Sequence, residues 1–178
     1  MQQVGLCHRS ISMDTLKVDG DRLTIDDLGW CIRVSPDNSS STDGPLPTPG
    51  GTTPQFVAPE YFSRTTDVEW DYFAADLWSC GLVLFSMVAG TGSLFSAPIQ
   101  EDKVFKELCV SGHIQEHIQR LNASQEGTNI QLSLGLIDLL KRMLSADPAA
   151  RPSLEDVMGH SWVKDGESVP PSKWKTPS

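Results

Sequence analysis

Positively charged residues are scarce in this sequence. Its 178 residues include 14 lysines and arginines against 23 aspartates and glutamates, which gives a net charge of −9. An acidic surface repels the phosphates of nucleic acids and the headgroups of anionic membranes, so we expect neither as a main partner. The longest apolar stretch, from 77 to 90, is too short to span a bilayer, and this favours a buried core helix.

Cysteine is also sparse, and its spacing is irregular. The four cysteines form no C-x-x-C pair and no recognisable disulfide framework: Cys7, Cys31, Cys80 and Cys109. We therefore expect free thiols in a reducing compartment, which indicates a cytoplasmic protein. The hydrophobic fraction of 39% and the length are sufficient for one globular domain with a core.

The periodicity of the sequence predicts a mainly α-helical chain with one small β-hairpin near its start. Short apolar pieces around a turn at 19–21 predict the hairpin over 18–25. A segment rich in Ser, Thr, Pro and Gly, about 34–54, predicts a loop. Apolar periodicity predicts helices over 73–89, 102–110 and 132–144, the last capped by Ser133, and a short helix over 153–159. His113 and His117 lack further metal ligands nearby, so we expect surface histidines.

Three motifs carry a resemblance to a known family. HRSISMDT (8–15) lies before the hairpin, DLG (27–29) follows it, and APE (58–60) follows the polar loop. In this order they resemble the H-R-D-L-x-x-x-N, D-F-G and A-P-E motifs of protein kinases. Three further stretches agree with the same family: DLWSCG (76–81), DPAARP (147–152) and GHSW (159–162).

The resemblance implies a protein-kinase-like fold, specifically its mainly α C-terminal lobe, with the N-terminal lobe absent from this chain. Residues 1–163 would form this lobe, with an activation-segment insertion at about 34–54 and a flexible tail over 164–178. The implied activity is phosphoryl transfer from ATP, with magnesium, to Ser or Thr of a protein substrate. The chain begins just before the 8–15 motif, so we expect a fragment of a longer protein.

The resemblance also implies structural roles for several residues. Glu60 and Arg151 would form a buried ion pair that anchors the activation segment. Asp76 would accept hydrogen bonds from the backbone around His8 and Arg9 and so hold that loop. The alternatives are that Glu60 is a surface carboxylate and that Asp76 is a helix N-cap.

The residues expected to carry chemistry are mostly replaced. Asp27 occupies the family's magnesium-binding position, although a turn without metal is an open alternative. Ser10 stands where the family has its catalytic aspartate, and Thr15 stands where it has a metal-binding asparagine. A serine hydroxyl is a poor base near neutral pH, and general-base catalysis contributes about 10²–10⁴ in rate. We therefore expect little or no activity, and ATP and magnesium binding are doubtful for this chain alone.

The polar loop offers candidate regulatory positions. In the family, an arginine such as Arg9 pairs with a phosphorylated activation segment. The available hydroxyls are Ser39, Ser40, Ser41, Thr42 and Thr48. Thr53 resembles the threonine before A-P-E that contacts the catalytic loop. The alternative is an insertion with no regulatory role.

Three hypotheses for the function follow. The first is a pseudokinase that acts as a protein-binding module. The second is a piece of a longer, weakly active Ser/Thr protein kinase that uses Asp27 and an unorthodox base. The third is a degenerate fragment that folds poorly on its own.

Overall fold

The structure is a computed structural model that describes residues 4–34, 53–62, 70–92, 94–124 and 129–166. This part of the chain is mostly helical with few strands. The strands are β1 (Leu6–Cys7), β2 (Leu16–Asp19), β3 (Arg22–Ile25) and β4 (Ile32–Arg33). The helices are α1 (Tyr72–Ala89), α2 (Lys103–Phe105), α3 (Ile114–Ser124), α4 (Leu134–Met143), α5 (Leu154–Gly159) and α6 (Ser161–Lys164). Short 3-10 turns cover Met13–Thr15, Leu28–Trp30, Pro54–Phe56, Pro59–Tyr61 and Pro148–Ala150.

The strands form two small antiparallel sheets. β2 and β3 make the predicted hairpin, which begins at Leu16, two residues earlier than expected, and turns at Gly20 with a positive φ of 62°. β1 pairs with β4, with Cys7 opposite Ile32. The sequence does not predict this second sheet, because two-residue strands show no alternation and their partners lie 25 positions apart. The pairing brings the two ends of the 8–31 region together.

Helix α1 is the centre of the core, as the sequence predicts. Asp71 caps its first turn by accepting hydrogen bonds from two backbone N–H groups, and Gly90 ends it with φ 65°. By length and composition alone α1 could cross a membrane, but 72% of that stretch is buried inside the fold. Trp78 and Phe85 on this helix are fully buried. It is a core helix surrounded by the rest of the chain.

Helix α4 packs against α1 at a point where a side chain would not fit. A Cβ at Gly81 would lie 2.9 Å from Leu144 Cδ2 and 3.0 Å from Met143 Cβ. The predicted cap of α4 is confirmed, since the Ser133 hydroxyl accepts a hydrogen bond from the N–H of Leu136 at 3.2 Å. The glycine therefore permits the close contact between the two helices.

The remaining elements differ in part from the prediction. The helix predicted over 102–110 is one α-helical turn, α2, continued by a π-helical turn at Lys106–Val110. Helix α3 was not predicted, although Ile114, Ile118 and Leu121 show the i, i+4, i+7 spacing of an apolar face. That face buries His117, so the expectation of a surface histidine is wrong at this position. The predicted tail and insertion, apart from their ends, lie outside the described residues.

Candidate functional site

The 8–15 loop is fastened to helix α1 by one carboxylate. Asp76 Oδ2 accepts from the N–H of His8 at 2.6 Å, and Asp76 Oδ1 accepts from the N–H of Arg9 at 2.8 Å. Arg9 has φ 65°, a left-handed conformation that costs about 1–3 kcal/mol in a residue other than glycine. Burial raises the pKa of Asp76, against the opposing effect of these two N–H donors. The cap of α1 is Asp71, so the alternative role of Asp76 as a helix N-cap is wrong.

His8 connects this loop with the chain that follows the hairpin. The imidazole is fully buried, and its Nδ1 lies 3.3 Å from the N–H of Ser10, which donates to it. A nitrogen that accepts has no proton, so Nε2 carries it and donates to the carbonyl of Asp26 at 3.0 Å. The two hydrogen bonds select one tautomer, and they fix the backbone immediately before Asp27.

Thr15 closes the 8–15 loop with its hydroxyl. Its Oγ1 lies 3.1 Å from the carbonyl oxygens of Ser10 and Ser12, and it accepts from the N–H of Ser12 at 3.0 Å. The one hydroxyl proton is thus shared between two carbonyls, and a lone pair is already used. Ser10 and Thr15 are both buried, at 4% and 7% exposure. The hydrogen bond from the Thr15 hydroxyl to the Ser10 carbonyl helps to hold the 8–15 loop closed, and neither side chain carries a charge.

Asp27 presents an exposed carboxylate after the hairpin. It also has a left-handed backbone, with φ 59°, and its Oδ1 accepts from the N–H of Gly29 at 3.4 Å. Its neighbour Asp26 forms an ion pair with Lys17 across the hairpin, and the hydrogen bond from Lys17 lowers the pKa of that carboxyl. Sequence reasoning missed this pair, which needs the register of β2 and β3 to be known.

The residues present do not fit the two-ligand magnesium site of the family. Asp27 offers one carboxylate in an accessible place, of the kind that magnesium prefers. The hydroxyl of Thr15 is directed into the loop, where three backbone groups occupy it. Within the described part of the chain, no three His, Cys, Asp or Glu side chains come together as a metal-binding group. One ligand position out of two is therefore chemically suitable.

A second anchoring contact joins Glu60 to Arg151, 91 positions away. Nη1 donates to Glu60 Oε1 at 2.8 Å and Nη2 donates to Glu60 Oε2 at 2.7 Å, a bidentate arrangement. The Arg151 side chain is fully buried and that of Glu60 is 10% exposed. Glu60 is thus not a surface carboxylate. Because it follows Ala58 and Pro59, the pair fixes this segment against the helical core.

Arg151 is held on its other sides as well. Its Nε donates to the carbonyl of Ser145 at 2.9 Å, and Nη1 donates to the carbonyl of Ala74 at 3.1 Å. The guanidinium lies over the Trp78 ring, with Cζ 5.2 Å from the ring centroid. A buried arginine with a carboxylate, two carbonyls and an aromatic face has a complete set of partners, which only this side chain provides.

The segment 53–62 has further anchors that the sequence did not reveal. Gln55 donates to the carbonyl of Gly92 at 3.0 Å and accepts from the N–H of Leu94 at 3.1 Å. The Ser79 hydroxyl donates to the carbonyl of Phe56 at 2.8 Å. Both side chains are buried. A polar residue in an otherwise apolar stretch, such as Ser79 in α1, is the signal that such a bond exists.

Of the predicted regulatory positions, the described residues include Thr53. Thr53 is exposed, and none of the hydrogen bonds that the described residues make joins its side chain to the 8–15 loop. The remaining predicted positions lie outside the described residues: Ser39, Ser40, Ser41, Thr42 and Thr48.

Comparison with known proteins identifies the family of the chain. The protein kinase domain family matches residues 1–163. The chain belongs to the protein kinase domain family. It is 32% identical over 163 residues to CBL-interacting serine/threonine-protein kinase 15 of Arabidopsis thaliana, covering 91% of this chain and 34% of that protein. It is 31% identical over 168 residues to sperm motility kinase 3A of Mus musculus, covering 94% of this chain and 28% of that protein.

Serine/threonine-protein kinase SRK2J of Arabidopsis thaliana is 30% identical over 161 residues, which is 88% of this chain and 42% of that kinase. The chain therefore spans about a third of the length of the curated relatives it matches. Proteins of the kinase domain family in general use ATP and magnesium.

Proposed function

We propose that this kinase-family chain forms the helical, C-terminal lobe of the fold and works as a pseudokinase that binds protein partners and transfers no phosphate. The order of its elements supports the lobe assignment. The 8–15 loop, the hairpin, the 27–29 turn and the 58–60 turn precede the buried helix α1, and the elements after α1 are nearly all helical. The four cysteines are free in the structure, in keeping with the proposed cytoplasmic location.

The observation that carries the proposal is the role of Thr15. Its hydroxyl binds three backbone groups inside the 8–15 loop, so the position that holds metal in the family serves here to keep the loop closed. Ser10, the position of the expected base, is neutral and buried. By contrast, the framework contacts of Asp76 and Arg151 are complete. The contacts that hold the fold are thus present, whereas the side chains that carry out catalysis in the family are replaced at Ser10 and Thr15.

A second candidate, a weakly active Ser/Thr kinase that is part of a longer chain, is favoured by Asp27. Its carboxylate is exposed, and only Gly29 donates to it among the described residues. One metal ligand and an unassigned base would support at most slow phosphoryl transfer, because the missing base alone costs about 10²–10⁴ in rate.

Thermal unfolding with magnesium and ATP separates these candidates. A functional site with a Kd of about 50 μM, saturated with 5 mM nucleotide, would stabilise the fold by about 2.7 kcal/mol. For a chain of this size that corresponds to about 5–10 °C in Tm. We expect no magnesium-dependent rise for the 178-residue chain or for Asp27→Ala, measured also on any longer protein that contains this chain.

A rise that Asp27→Ala abolishes would show that the nucleotide site is intact and would favour the weakly active kinase; phosphate transfer by the unmodified chain would refute the pseudokinase proposal. Restoring both chemical positions with Ser10→Asp and Thr15→Asn gives a second readout, phosphate transfer to a generic protein substrate, which we expect to stay at background. The hypothesis of a degenerate fragment is separated by the unfolding curve itself. A broad transition without a cooperative midpoint would support it, since a folded domain of this length unfolds in one step.

A further inference from the structure

A groove lined by acidic and apolar side chains lies outside the 8–15 loop. It has a volume of about 740 Å³ and lies between three short elements. The Pro59–Tyr61 turn forms one side, the approach to α2 forms the second, and the Pro148–Ala150 turn forms the third. We call it the acidic groove, and its main lining residues are Pro59, Phe62, Ile99, Glu101, Asp147 and Pro148.

The lining of the acidic groove includes the acidic side chains of Asp71, Glu101 and Asp147. Asp71 caps α1 and Asp147 caps the Pro148–Ala150 turn, each by accepting backbone hydrogen bonds. Glu101 is exposed and takes part in no hydrogen bond or ion pair among the described residues. The charge of Glu60 is neutralised by Arg151. In the described part of the chain neither lysine nor arginine lines the groove, so its field attracts cations.

The lining of the acidic groove also has an apolar part. Phe62 and Ile99 are each 37% exposed, and Pro59, Pro98 and Pro148 lie beside them. An exposed apolar surface with a polar rim is typical of a protein interaction site. Its size suits one large side chain together with the peptide on either side of it.

We propose that the acidic groove binds a segment of a partner protein in which one large apolar side chain is flanked by lysines or arginines. The apolar anchor would pack against Phe62 and Ile99, and the flanking cations would face Glu101, Asp147 and Asp71. Charge complementarity selects this occupant over a nucleic acid or an acidic segment. This inference rests on the protein-binding function proposed above, and it adds the chemistry of the segment that is bound.

Two segments of this chain are alternative occupants. Residues 63–69, SRTTDVE, contain two acids and one arginine, so their charge does not complement the groove. Near the C-terminal end, Lys173, Trp174 and Lys175 have the proposed chemistry. The test therefore includes a variant of this stretch, so that binding of a partner and binding of the chain's own end give different results.

The experiment measures fluorescence anisotropy of a labelled Lys-Lys-Trp-Lys-Lys peptide against the full chain at low salt. We expect saturable binding that weakens as salt is added, because the attraction is partly between exposed charges. A Glu-Glu-Trp-Glu-Glu peptide should not bind, and Lys-Lys-Ser-Lys-Lys should bind at least tenfold more weakly. Glu101→Lys and Ile99→Ser should each raise the Kd at least tenfold.

Matched controls lie away from the groove. Asp165→Lys makes the same charge change on an exposed residue, and Leu134→Ser makes a comparable apolar-to-polar change at a position 79% exposed. Both should bind within twofold of the unmodified chain. Urea midpoints of all variants establish that each is folded, and a groove variant that does not fold is replaced by Glu101→Gln or Ile99→Ala.

Three results would overturn the proposal. The first is equal binding by the groove variants and the unmodified chain. The second is an equal loss in the Asp165→Lys control, which would indicate attraction to the net charge alone. The third is peptide binding that appears only in Trp174→Ala, which would assign the groove to the chain's own end. Phosphate transfer measured on the same samples separates failure of the pseudokinase proposal from failure of this one, since phosphate transfer and groove binding are read independently.

Discussion

Replacing Arg151 with alanine tests whether its buried contacts hold the 53–62 segment against the helical core. Arg151→Ala removes the bidentate pair with Glu60 and the hydrogen bonds to the carbonyls of Ser145 and Ala74. It also leaves the 10%-exposed Glu60 side chain without its cation. Breaking a buried ion pair in this way costs about 3–5 kcal/mol. That is a large part of the total stability of a domain, which is about 5–15 kcal/mol. At about 2–4 °C per kcal/mol for a chain of this size, we expect the Tm to fall by about 6–20 °C.

Urea unfolding at 25 °C, followed by far-UV circular dichroism, measures the change in free energy of unfolding. Arg151→Lys keeps the charge but loses the planar fork, so we expect an intermediate loss of about 1.5–3 kcal/mol. The double variant Arg151→Met with Glu60→Leu removes both charges, and it should lose less than Arg151→Ala alone. A loss below about 1 kcal/mol for Arg151→Ala, or a double variant as unstable as the two single variants added together, would refute the argument.

Three further predictions concern the hydrogen bonds of Thr15, the contact between α1 and α4 at Gly81, and the buried His117. Thr15→Val should destabilise the chain by about 1–3 kcal/mol in urea, since buried backbone groups lose their partner, while Thr15→Ser, which retains the hydroxyl, should lose less. Gly81→Ala should cost about 1–3 kcal/mol despite the better helix propensity of alanine, because its methyl would overlap Leu144; no loss would mean that the contact relaxes. Burial lowers the pKa of His117 from about 6.5, so the unfolded chain binds a proton there more readily and stability falls as pH drops below about 6.5. His117→Gln should flatten that part of the stability–pH curve relative to the exposed control His113→Gln, and an unchanged slope would count against it.

The sequence predicted the elements whose signals are local. Short apolar pieces around the turn at 19–21 indicated the hairpin, and apolar periodicity indicated α1 and α4 to within two residues at each end. The short helix predicted over 153–159 is present as α5, and Ser153 forms a capping box with Asp156 at its start. These features depend on residues within a few positions of one another, so one chain without relatives is sufficient to find them.

Elements with weak local signals were missed. Strands β1 and β4 are two residues each, and their pairing depends on a contact across the whole 8–31 region. Helix α3 is polar over most of its surface, so its short apolar face was overlooked. The π-helical turn after α2 has no recognisable pattern in the sequence and reflects how that turn packs on the core.

The replacements at Ser10 and Thr15 could be read from the motif alone, and so could the survival of Asp27. The motif could not show what Thr15 does in place of binding metal, because its three hydrogen bonds are made with backbone groups whose positions depend on the folded loop. The partner of Asp26 was likewise hidden, since Lys17 approaches it only in the register of the hairpin.

The sequence by itself determined the family motifs, their order, the acidic charge and the main helices, since each is a property of residue identity or of short-range spacing. Tertiary structure decided which charges are buried, which backbone groups need a donor or acceptor, and which apolar and acidic side chains line one groove. Glu60 meets Arg151 across 91 positions, and Asp76 meets the backbone of His8 across 68. Such contacts form because packing removes water from polar groups that must then find partners within the protein, and only the complete fold specifies which partners are near.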